Sequence, residues 1–166
     1  MRKLGIAGAV LGCLAVVAPA QAAGGYPWAN VGVGQMDSWG FNARQCTSYV
    51  AWRLHQSGDA AFQDNMIAPT GRSVQWGNAD HWAIAARQLG YVVSKTPAVG
   101  TVAQWNSFEK SSYKGWTITA SAYGHVAYVV AVYSDGSVKV DEYDATRSHG
   151  FSTERLRAPR FLYIRG

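Results

Sequence analysis

Cysteine, histidine and carboxylate side chains perform nucleophilic chemistry together, and this chain places one of each in a suitable setting. Cys46 heads the stretch Cys46-Thr47-Ser48-Tyr49-Val50-Ala51-Trp52-Arg53-Leu54. His125 follows Gly124 and opens the apolar run Val126-Ala127-Tyr128-Val129-Val130-Ala131-Val132. Glu142 closes the alternating stretch Val138-Lys139-Val140-Asp141-Glu142. An imidazole that takes the thiol proton, with an acid to fix its tautomer and charge, is an arrangement for acyl transfer.

The elements that must position these groups can be read from spacing. Tyr49, Val50, Arg53 and Leu54 recur at i+3 and i+4, and Gly58 follows as a stop, so a helix of about three turns begins at or just after Cys46. A thiol at a helix start meets unpaired amide N–H groups and the positive end of the dipole, which favour the thiolate. A second helix is expected over Asp80 to Leu89, closed by Gly90. From Tyr91 the chain turns extended, with Tyr91-Val92-Val93 and Thr101 to Trp105 as strands. The run from Gly124 to Tyr133 is apolar on both faces, as a buried central strand requires. Ser134-Asp135-Gly136-Ser137 signals a hairpin, and in the returning strand Val138, Val140 and Glu142 share a face. A carboxylate on the apolar face needs a partner, and His125 at the mouth of the neighbouring strand can supply one.

The thiol's isolation depends on the first residues of the chain. Arg2 and Lys3, the uncharged apolar stretch from Leu4 to Ala18, and Ala20-Gln21-Ala22 read as a secretory signal peptide over residues 1–23, cleaved near Ala22 or Ala23. The apolar stretch is too short for a stable membrane anchor. Cleavage leaves residues 24–166 as one domain, removes Cys13, and lowers the net charge from +5 to +3 with Arg2 and Lys3. Cys46 is then a lone cysteine in an exported domain: an intermolecular link, an inert buried thiol or a nucleophile. The helix start favours the nucleophile. The mild basic excess suits an anionic partner such as a bacterial wall, and without any basic run it implies no nucleic acid.

Gln45-Cys46-Thr47 running into Tyr49-Val50-Ala51-Trp52, Gly100-Thr101-Val102, Gly124-His125-Val126-Ala127-Tyr128-Val129 and Gly136-Ser137-Val138 leading to Glu142-Tyr143 resemble the CHAP domains, cysteine, histidine-dependent amidohydrolases/peptidases. The resemblance extends from about Trp39 to the Phe161-Leu162-Tyr163-Ile164 strand. It implies a papain-like α+β fold in which an N-terminal helix carrying the cysteine packs on an antiparallel β-sheet. It implies a secreted peptidoglycan hydrolase, endopeptidase or N-acetylmuramoyl-L-alanine amidase, with Cys46 as nucleophile, His125 as general base and acid, and Glu142 as orienting acid. No cofactor or metal is expected: His149 and the acids lack zinc-ligand spacing, and Asp37 alone upstream of Cys46 is too little for a calcium loop.

Register and resemblance disagree about the acid. A plain two-residue turn at Asp135-Gly136 sets Glu142 opposite Val129, about 13 Å along the strand from His125, and sets Asp144 opposite Ala127. Geometry then favours Asp144, whereas the resemblance selects Glu142 and requires a longer loop or a bulge. Two other functions fit the sequence: a non-catalytic wall-binding domain, with Trp28, Trp39 and Trp116 as cleft residues among seven tryptophans, and a secreted cysteine protease acting on proteins.

Overall fold

The structure, a computed structural model, describes residues 25–145 and 149–164. The expected leader over residues 1–23, with Cys13, lies outside the described residues. Among those described, no helix is long and apolar enough to cross a membrane.

The chain enters through turns closed by a bridge between Met36 and Asn42. Helix α1 spans Cys46–Gln56, followed by a small hairpin of β1 (Asn65–Ile67) and β2 (Ser73–Gln75). A 3-10 turn at Ala79–His81 leads into α2 (Trp82–Gln88), then β3 (Val92–Ser94) and β4 (Val102–Trp105). A second hairpin, β5 (Lys110–Tyr113) and β6 (Trp116–Thr119), precedes β7 (His125–Val132), β8 (Val138–Tyr143), β9 (Phe151–Leu156) and β10 (Arg160–Tyr163). Six strands form one antiparallel sheet in the order β3-β10-β4-β7-β8-β9. The α+β class, with the cysteine-bearing helix packed on an antiparallel sheet, is therefore present.

Alternation divides β7 between two cores. Val126 and Tyr128 face Val50, Ala51 and Leu54 of α1 and Trp82, Ala85 and Ala86 of α2. Ala127 and Val129 join Ala103, Trp105, Val138, Val140, Leu156 and Phe161 in a second cluster, which Ile118 of β6 and the following Ala120 help to close. The sheet thus lies between the helices and the β5–β6 hairpin. The tip of that hairpin leaves Trp116 80% exposed.

Helix α1 runs alongside β7. Arg53 donates to Asp141 of β8 at 2.5 Å and stacks its guanidinium on Tyr128, while Ser57 bonds the Tyr128 hydroxyl. Those contacts fix the helix's far end, so Cys46 falls at the end where β7 begins.

The hairpin joining β7 to β8 departs from a plain two-residue turn. Val132 faces Val138 and Ala131 faces Lys139, and beyond a bulge at Val130 the register moves so that Val129 faces Val140 and Tyr128 faces Asp141. One pair further, Glu142 falls opposite Ala127, two residues from His125. The longer turn and the bulge together displace the pairing by two residues.

Candidate active site

Gly124 explains why a histidine can open β7 where it does. Its φ is +75°, and a Cβ there would lie 2.5 Å from the Asp80 nitrogen and 2.6 Å from the Trp105 carbonyl oxygen. Only glycine permits this crossing of the 3-10 turn over the strand. Across the β4–β7 register Trp105 pairs with His125, their rings 5.8 Å apart. Trp105 is itself fixed by donation from Nε1 to Ser111 Oγ at 2.9 Å.

His125 and Glu142 share one face of the sheet, and the longer turn and the bulge bring them together. His125 Nε2 lies 2.9 Å from Glu142 Oε2, with side-chain exposures of 10% and 3%. A carboxylate only accepts, so Nε2 is the donor and Nδ1 is left for another partner. Glu142 Oε1 accepts from Ser152 Oγ at 3.2 Å, so both carboxylate oxygens are bonded. Burial works against a charge on His125, but Coulombic attraction to Cys46 and Glu142 and the hydrogen bonds the ring donates to both outweigh it and raise its pKa to about 10. Cys46, half-buried and unpaired, thus meets the histidine that Glu142 holds. The three expected site residues come together, and the arrangement can move a proton between thiol and imidazole while the acid fixes the ring.

Around Cys46 the backbone is unusually constrained. Arg44 has φ +63°, and its N–H donates to the Tyr26 hydroxyl at 3.0 Å. Tyr26 OH bonds Ser48 Oγ at 2.6 Å, and Ser48 Oγ donates to buried Asp37 at 2.6 Å. Asp37 also accepts from the N–H groups of Trp39 and Phe41. A chain of four polar groups therefore sets the approach to α1.

Asp144, the alternative acid, bonds a different histidine. Its Oδ1 accepts from the His149 N–H and lies 3.1 Å from His149 Nδ1. Burial pushes its carboxyl up from the usual range, against the pull of His149 and His125. Sequence spacing gives His149 no role, Ser152 belongs to a strand with no readable pattern, and Asp37 reads from the sequence only as an insufficient calcium ligand. Among the described residues no group of three or more His, Cys, Asp or Glu side chains is arranged to hold a metal ion. Of the three tryptophans suggested for a cleft, Trp39 stacks on His55 at 4.1 Å and packs edge-on against Trp28, leaving Trp116 as the exposed one.

The CHAP domain family profile matches residues 36–144. Staphylococcal secretory antigen ssaA2 of Staphylococcus aureus (strain NCTC 8325 / PS 47) is 42% identical over 115 residues, covering 69% of this chain and 33% of the relative. Staphylococcal secretory antigen SsaA of the same strain is 42% identical over 115 residues, covering 69% and 34%. The chain spans about a third of the length of these curated relatives. The crystal structure of an N-acetylmuramoyl-L-alanine amidase from Staphylococcus aureus aligns with a TM-score of 0.51 at 27% identity, over 74% of this chain and 31% of that one. The profile match covers more than half of the chain and takes in Cys46, His125 and Glu142, and on it the chain belongs to the CHAP domain family.

Proposed function

We propose that this protein is a secreted peptidoglycan hydrolase that cleaves an amide bond through a Cys46 thioester. The observation that carries the reading is the position of His125, bonded to Glu142 on one side and interacting with Cys46 on the other. The amidase among the solved structures supports amide cleavage in the wall, and the secretory antigens support an extracellular place, as does the basic and apolar start of the sequence.

In the first half-reaction Cys46 Sγ attacks the carbonyl carbon. The oxyanion that forms faces the Cys46 backbone N–H at the start of α1, where the helix dipole favours negative charge. The C–N bond breaks as His125 gives its proton to the leaving amine. In the second, His125 takes a proton from water, the hydroxide attacks the thioester, and the C–S bond breaks to release the acid and Cys46. Glu142 stabilises the imidazolium and keeps Nδ1 turned to the thiol.

Digestion of purified peptidoglycan, with mass spectrometry of the new amino termini, tests the activity and identifies the bond as one in the stem or as the muramoyl-alanine amide. Cys46→Ala is expected to lower turnover by about 10,000-fold or more with an unchanged circular dichroism spectrum, because the acid and base have nothing to activate. A folded Cys46→Ala protein that still cleaves the wall would overturn the mechanism.

A further inference from the structure

A second histidine stands beside the proposed site and takes no part in the reaction above. Three of the non-glycine residues with positive φ gather around it: Arg44 at 63°, Asp144 at 58° and His149 itself at 46°. Such conformations cost about 1–3 kcal/mol each and persist where neighbouring contacts over-determine them. Here the three residues bond one another. Arg44 Nη2 donates to the His149 carbonyl oxygen at 3.2 Å, and the His149 N–H donates to Asp144 Oδ1 at 3.1 Å.

Gln45 completes the cluster. It is the N-cap of α1, yet its side chain makes no capping bond. Its Nε2 lies instead 3.1 Å from His149 Nδ1, the nitrogen that Asp144 Oδ1 also approaches at 3.1 Å. One ring nitrogen cannot satisfy both partners. Unprotonated, Nδ1 accepts a hydrogen bond from the Gln45 amide; protonated, it donates to the Asp144 carboxylate. In the protonated state the Gln45 NH2 faces an N–H, and the carboxamide must turn away or reverse. Gln45 is joined directly to Cys46, so its rearrangement is felt at the peptide whose N–H faces the oxyanion.

We infer that His149 is a positioning residue: while its Nδ1 is unprotonated it holds the Gln45 carboxamide, and with it the Gln45–Cys46 peptide, in the arrangement that receives the oxyanion. The effect on turnover rests on the cysteine mechanism proposed above. The charged groups that face His149 are Asp144 from the end of β8 and Arg44 from the segment before α1, with His125 acting on Asp144 from β7.

Two measurements test this. The first is kcat and KM against pH, on purified peptidoglycan, for the unsubstituted protein, His149→Ala and His149→Asn. His149→Ala is expected to lower kcat about tenfold with KM within about twofold, and to remove a titration step from the kcat profile. Asn keeps an acceptor for the Gln45 amide and tolerates positive φ, so His149→Asn is expected to recover most of kcat while lacking the step. A His149→Ala profile that retains both kcat and the step, or an Asn variant as slow as Ala, overturns the proposal. The second is NMR of the Cys46→Ala protein, in which the Gln45 side-chain amide signals are expected to move with the His149 ring titration. Amide signals that ignore it overturn the proposal whether or not the wall is cleaved. An unsubstituted protein that leaves the wall intact defeats the hydrolase reading alone, and the NMR result then decides between a coupled and an uncoupled Gln45.

Discussion

The proton on His125 is held by Cys46 and Glu142 against a burial that would expel it. The imidazole ordinarily titrates near 6.5, so raising it to about 10 keeps the ring charged through neutral pH. The alkaline limb of kcat/KM is therefore expected well above 6.5, falling as the pH rises toward about 10, and a pH–rate profile checks it. The sign for stability follows from the same shift. A folded value above the unfolded one gives a contribution complete below about pH 6.5 and lost as the pH rises through about 10. Glu142 is the only carboxylate bonded to that ring among the described residues, whereas Asp144 is engaged by His149. Steady-state turnover is expected to fall at least about tenfold more in Glu142→Ala than in Asp144→Ala, a difference of about 1.4 kcal/mol. The reverse order would assign the orienting role to Asp144.

The strand that carries His125 depends on one residue without a side chain. In Gly124→Ala the new Cβ meets backbone atoms of Asp80 and Trp105 that cannot rotate away, at a positive φ that alanine resists. Overpacking and backbone strain together should cost about 3 kcal/mol, or about 6–12 °C in Tm for a domain of this size. Calorimetry should show that loss, and alkylation of Cys46 by iodoacetamide should slow because His125 is displaced. Unchanged melting and alkylation would mean the crossing is looser than the geometry requires. The elements positioning Cys46 and His125 were legible because their periods are strong: 3.6 over α1, and a continuous apolar run over β7. Strand β9 was not, since Ser152, Thr153, Glu154 and Arg155 make it polar on both faces. Strands β5 and β6 were missed for a similar reason, being short and mixed, though Ile118 closes a core. The bulge at Val130 left no trace, because an extra residue in an all-apolar run changes no pattern. Together with the longer turn the bulge brings Glu142, rather than Asp144, to His125, which a plain two-residue turn would not do.

At the scale of the whole molecule, the segment ahead of α1 is the least legible part and one of the most consequential. Its glycines and scattered aromatics read as an irregular lead-in, and its backbone is indeed mostly turns. Composition does not reveal that irregular backbone can be buried when side chains satisfy its polar groups, as Asp37 and Tyr26 do here. Tyr26 is 4% exposed and packs its ring against Trp28, Tyr49, Trp52 and Tyr143, which ties the lead-in to α1 and β8 at once. Its hydroxyl meanwhile receives the Arg44 N–H and bonds Ser48, two residues to either side of Cys46. Two substitutions separate these roles. Tyr26→Ala removes a buried ring and should destabilise the fold by about 4 kcal/mol, or about 8–16 °C in Tm. Tyr26→Phe keeps the ring and removes only the oxygen, leaving the Arg44 N–H unpaired at a cost of about 1–2 kcal/mol. Because Arg44 shapes the backbone entering Cys46, kcat should fall severalfold in Tyr26→Phe at a temperature where the protein is fully folded, with KM little changed. Thermal melting followed by turnover on purified peptidoglycan checks both. A Tyr26→Phe protein with full kcat would mean that the hydroxyl contributes only to stability, and that the approach to Cys46 is held by Asp37 and the helix itself.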